Sequence, residues 1–184
     1  TGASPLREAL SQLTADGLVT RVEKRGFRVA GANSDDLDEL VQARCWIEGQ
    51  ALRESIARAT PEWEHAVVIA IYELTRAPRS LGGKQFRSNP EWERLHKRFH
   101  MAVISGCANR IVTDLCDQLY DRAVRYRSLS IARAYTRRDV PREHQELADV
   151  VLSRDADKAV AALNAHYQRT ARLLVEPLGG RKAK

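Results

Sequence analysis

The chain has 184 residues, 43% hydrophobic and 29% charged, with a formal net charge of +6. That length holds one full-sized domain with a smaller piece beside it and excludes two large independent cores; no run approaches the roughly eighteen apolar residues of a membrane span. The positive charge gathers at the ends: residues 1–30 carry five basic and three acidic side chains, and Arg181, Lys182 and Lys184 lie in the last four positions.

The first thirty residues read as a helix followed by a hairpin. Ser4 is placed as an N-cap with Pro5 at the first helical position, Leu6, Ala9, Leu10 and Leu13 follow at helical spacing, and Gly17 stops the helix. Leu18–Val22 and Phe27–Ala30 are strand-like and are joined by Glu23-Lys24-Arg25-Gly26, a basic turn. One helix and one hairpin cannot bury a core alone, so further elements are expected to precede Thr1. Small residues at the start of this helix permit close approach to a duplex. Ser4, Arg7, Arg21, Lys24, Arg25 and Arg28 are the candidate DNA contacts, through phosphates and a groove edge. A capped helix, a glycine stop and a basic two-stranded wing, in that order, make the second half of a winged helix-turn-helix.

From Ser34 onward six helices are expected: about 35–58 behind Ser34, 61–76 behind Thr60 and Pro61, 90–105 behind Asn89 and Pro90, Asn109 to about Tyr135, about 140–153, and a sixth capped by Asp155 that ends before Pro177. The fold class is therefore mainly α, a partial winged helix followed by an antiparallel six-helix bundle. The domain division is 1–30, 31–178 and a basic disordered tail at 179–184. No secretion signal is visible, so the expected location is the cytoplasm, with no membrane partner. Cys45, Cys107 and Cys116 lack a C-x-x-C pair and read as small core residues.

Histidine placement is the sharpest chemical signal. His96 and His100 stand one turn apart on a face shared with Trp92, Phe99 and Val103, while His144 and His166 each fall inside an apolar stripe of a later helix; His65, beside Glu64, reads as surface. Inward imidazoles from three helices are how bundles build metal sites, and nitrogen ligands suit a divalent transition metal, zinc or nickel first. Two arginines interrupt apolar stripes: Arg44 among Leu37, Leu40, Val41, Ile47 and Ala51, and Arg122 among Ile111, Leu115, Leu119, Tyr126 and Leu129. A buried guanidinium needs a partner: for Arg44 that is either an internal ion pair with Glu48 or an anionic ligand held bidentately.

Pro5-Leu6-Arg7-Glu8-Ala9-Leu10, Asp16-Gly17-Leu18-Val19 and Arg25-Gly26-Phe27-Arg28-Val29 resemble the recognition helix and wing of GntR-type transcriptional regulators, with Ala3 where that family usually has an arginine. Phe99-His100, the Gly106-Cys107-Ala108-Asn109 break, Glu143-His144, Asp155-Ala156-Asp157-Lys158-Ala159 and His166 resemble the all-helical effector domain of the FadR-type branch, the FCD domain. The resemblance implies a regulator that binds a double-stranded DNA operator as a homodimer and senses a small mono- or dicarboxylate beside a divalent metal. His100, His144 and His166 match that family's three metal-binding histidines, His96 stands where it usually has an aspartate, and Arg44 matches an arginine common on the domain's first helix. The alternative from another class is a metal-dependent hydrolase built on the histidine cluster. It lacks a placed general base, because Glu93 and Glu143 neighbour histidines in sequence and are expected to project elsewhere.

Overall fold

The structure, a computed structural model, describes residues 3–15, 19–23, 25–29, 33–82, 85–134 and 139–175. Lys24 and the tail at 179–184 lie outside the described residues. The elements are α1 (Ala3–Ala15), β1 (Val19–Val22), β2 (Gly26–Val29), α2 (Ser34–Ala57), α3 (Pro61–Arg76), α4 (Pro90–Ile104), a short 3-10 turn (Ser105–Cys107), α5 (Arg110–Ala134), α6 (Val140–Leu152) and α7 (Ala156–Val175). Among the described residues no helix is long and apolar enough to cross a membrane.

Helix starts follow side-chain caps. Thr60 accepts from the Trp63 amide, Asn89 from Glu91, Asp139 from Arg142 and Asp155 from Lys158, and Pro61 and Pro90 occupy positions where a missing N–H costs nothing. Two expected starts move. α2 is capped by Asn33, whose side-chain oxygen takes the Asp36 amide at 2.7 Å, so Ser34 lies inside the helix. α1 opens at Ala3, which places Ser4 within it as well.

The hairpin pairs Val19 with Val29, Thr20 with Arg28, Arg21 with Phe27 and Val22 with Gly26. Gly26 has φ +90°, a backbone conformation that L side chains rarely adopt, so the tight turn depends on a glycine there. Because side chains alternate across a strand, Arg21 shares the face of buried Val19 and of Phe27, and Arg28 takes the other face.

In the bundle α2 is the central strut, packing on α4, α5, α7 and the 3-10 turn, while α3 packs on α4 and α6. The main core gathers Leu52, Val67, Phe99, Val103, Cys116, Val151 and Leu163 from every helix of the bundle. A smaller cluster of Leu37, Leu40, Leu119, Ala123, Tyr126 and Ala171 packs the start of α2 against α5 and α7. The three cysteines are free thiols; Cys107 and Cys116 are buried and Cys45 half-buried, and burial pushes the Cys116 thiol up to about 12. The cavity described next is lined from both clusters' helices and includes Leu37, Ala123 and Ala171 of the smaller one.

Candidate metal and effector site

α4 carries His96 and His100 on one face because positions four apart stack along a helix, α6 contributes His144 and α7 His166. All four are buried, and one nitrogen from each lies within 4.8 Å of every other. The rings pack edge to face, His96 against His144 and His144 against His166 with centroids 4.7 Å apart, and Trp92 stacks on His96 at the same distance. Burial, reinforced by neighbouring arginine and histidine charge, holds His96 and His100 well below the ordinary histidine range. Both imidazoles are therefore neutral at physiological pH.

The outer nitrogens are held by oxygen atoms. His144 Nδ1 donates to the Val140 carbonyl at 2.7 Å, which leaves its Nε2 with the lone pair. Burial holds Tyr167 as a phenol; it donates to Glu48, so its oxygen accepts from His100 Nδ1 at 3.3 Å and His100 Nε2 also keeps its lone pair. His96 Nε2 stands 3.2 Å from His100 Nε2 and donates to it, while His96 Nδ1 accepts from the Tyr120 hydroxyl at 2.6 Å. Moving the His96 proton from Nε2 to Nδ1 would free the Nε2 lone pair of this fourth imidazole for a metal ion, with Tyr120 then accepting. His166 Nδ1 faces Glu143 Oε2 at 3.8 Å. The expectation that Glu143 projects away from the cluster is thus corrected: it lies on the outer side of His166, and it is Glu93 that turns aside to pair with Arg127 at 2.9 Å.

Arg44 lies on the cavity wall in a buried pair with Glu48, Nε to Oε1 at 2.5 Å and Nη2 to Oε2 at 3.2 Å, its guanidinium 4.0 Å from the Tyr167 ring centre. The internal ion pair and the place at the cavity therefore coexist. Arg122 is corrected. The buried face of α5 runs through Cys116, Leu119, Tyr120, Ala123 and Tyr126, which turns Ile111 (81% exposed), Leu115 and Arg122 outward. The arginine of α5 that reaches the cavity is Arg127, which donates to Tyr120 at 3.1 Å; Arg79, from the loop before α4, reaches it too. Arg127 follows Tyr120 by seven residues, so a stripe phased on Cys116 and Tyr120 points to it. Tyr167, a neighbour of His166 in sequence, carried no signal of its own.

In the head, Arg7 of α1 and Arg21 of β1 line one hollow with Ser11, Val22, Gly26 and Phe27. Arg7, Arg21, Arg25 and Arg28 are exposed, with Arg28 on the opposite face of the hairpin from Arg21.

Residues 39–169 match the FCD domain family. The HTH-type transcriptional repressor GlaR of Escherichia coli K12 is 31% identical over 183 residues, covering 97% of this chain and 82% of that protein. The chain belongs to the FCD-domain transcriptional regulators of the GntR family. Solved structures share the fold. Escherichia coli McbR/YncC superposes with a TM-score of 0.75 at 19% identity, covering 96% of this chain and 86% of that one. A GntR family member from Pseudomonas syringae pv. tomato gives 0.62 at 22% identity, covering 97% and 72%. FCD-domain regulators are DNA-binding transcription factors and not enzymes, which sets aside the hydrolase alternative.

Proposed function

We propose that this regulator is a repressor whose helical bundle senses a small carboxylate through a bound divalent transition ion. Residues 1–30 supply the C-terminal part of a winged helix that reads a double-stranded operator, and residues 31–178 form the effector-binding domain. Two copies act as a homodimer, matching paired half-sites. His96, His100, His144 and His166 hold the ion, zinc or nickel, and Arg44 helps to receive a mono- or dicarboxylate beside it.

The observation that carries this reading is the convergence of four buried imidazoles from three helices within 4.8 Å. The donor set suits such an ion: neutral nitrogen ligands favour late transition metals over magnesium or calcium. The oxygen partners of the outer nitrogens fix ring orientation, as second-layer groups do around metal-bound imidazoles. When bound, the ion supplies a Lewis-acid position for a carboxylate oxygen. Burying four histidines merely as core would spend polar groups where leucine packs better.

The test joins metal analysis to DNA binding. Purified protein is expected to hold close to one equivalent of metal, and its affinity for a duplex selected from a random-sequence pool is expected to change when succinate or butyrate is added. Protein without metal, with DNA affinity indifferent to both anions, would overturn the reading.

A further inference from the structure

The wall of the four-histidine cavity carries charged side chains of one sign only. Arg44, Arg79 and Arg127 line it, and among the described residues no aspartate or glutamate does. Carboxylates stand one layer back, and each faces an arginine: Glu48 takes Arg44, Glu93 takes Arg127, and Glu143 lies 3.5 Å from Arg169. Four imidazole ligands bring no negative charge of their own. An ion held by them would keep both of its positive charges in a poorly hydrated space, where an uncompensated charge is costly. Leu37, Val41, Val140 and Leu173 line the rest of the cavity, an apolar surface that fits a short carbon chain rather than a bare inorganic anion.

Resting on the metal-and-carboxylate reading above, we infer that the cavity selects a small dicarboxylate dianion over a monoanion of the same length, and that His96 sets this preference. An acidic ligand at position 96 would cancel one of the ion's charges; a histidine leaves that charge for the effector to meet. One carboxylate answers the ion. The other finds arginines already anchored on the wall, Arg79 with its guanidinium 5.7 Å from the Trp92 ring and Arg127 with its own 4.8 Å from Tyr120. Planar guanidinium groups match a carboxylate with paired donors.

Calorimetry on the zinc-loaded chain compares succinate with butyrate, which replaces one carboxylate by a methyl group. Succinate is expected to bind at least about ten-fold more tightly, the value of a hydrogen-bonded charge. In His96→Asp, which keeps a metal ligand and adds one negative charge, the ratio should fall toward unity, and Arg79→Gln should weaken succinate while sparing butyrate. Equal binding of the two acids by the parent protein, or the same ratio in His96→Asp, overturns the inference. If His96→Asp does not fold, chelation of the parent protein decides: a succinate preference that persists without zinc overturns the role of the ion, and one that collapses supports it. Inorganic phosphate bound more tightly than succinate would replace the organic dianion by an inorganic one and overturn the assignment. Failure of both acids to bind would instead strike the carboxylate-sensor reading itself.

Discussion

Glu48 is a carboxylate with 2% of its surface exposed, held by two donors of Arg44 and the hydroxyl of Tyr167. Replacing it by glutamine leaves the Arg44 charge buried without its counter-charge, a loss on the order of 3–5 kcal/mol. Tyr167→Phe removes one neutral donor and should cost about 1–3 kcal/mol. Urea denaturation of both variants checks the order; a Glu48→Gln protein as stable as Tyr167→Phe would show that Arg44 finds another counter-charge. The proposed metal ligands call for a different measurement. Zinc at a hundred times its dissociation constant would stabilise the folded parent by about 2.7 kcal/mol. His144→Ala should melt at the same temperature with and without zinc, and a retained zinc-dependent rise would remove His144 from the ligand set. These histidines were legible in the sequence because a polar residue in an apolar stripe stands out. The tyrosines were not, because Tyr120 and Tyr167 look like ordinary core aromatics until their hydroxyls are placed on His96 and His100.

At the level of elements, the helix boundaries could be read from punctuation: α3 spans the expected 61–76, and α4, α6 and α7 fall within a residue or two of expectation. Facing was harder. Ile111 and Leu115 are exposed apolar residues, and phasing α5 on them carried Arg122 onto the wrong side. Substituting Arg122 by alanine should therefore leave succinate binding unchanged, whereas Arg127→Ala, which breaks the contacts to Glu93 and Tyr120, should weaken it; the same calorimetry distinguishes them. The place of Arg79 was not readable either, because its loop is shaped by bonds across seven residues, with Ser80 Oγ accepting the amides of Gly82 and Arg87 at 3.1 and 2.9 Å. Close packing of α2 on the 3-10 turn gives a sharper test of the fold. A Cβ on Gly106 would meet Trp63 Cδ1 at 3.1 Å and Ser55 Cα at 3.2 Å. Overpacking of that kind costs about 1–3 kcal/mol, so Gly106→Ala should shift the denaturation midpoint down with an unchanged slope. An unshifted midpoint would mean that the turn yields without strain.

Across the whole molecule, α2 is the element that, on the proposed function, would tie sensing to DNA reading. It begins five positions after the end of β2, and Leu37, Val41 and Arg44 of its first three turns line the cavity, with Leu37 also in the smaller cluster. If an effector that prefers one arrangement of this end of the bundle changes DNA affinity, DNA would in turn change effector affinity by the same factor. Whether the hairpin and α1 touch DNA is separable from that coupling. Arg7 and Arg25 are exposed, on the helix and on the turn, where a duplex backbone can be reached without moving a core residue. Each phosphate contact contributes about 0.9 to the slope of log affinity against log salt, through released counterions. If both arginines contact phosphate in each of two protomers, the double variant Arg7→Ala/Arg25→Ala should flatten that slope by about 3.6; a monomer on a single half-site would lose about 1.8. Titrating a duplex selected by the protein at several salt concentrations reads both the contact and the stoichiometry, and a slope unchanged by the substitutions would take the wing away from the DNA backbone.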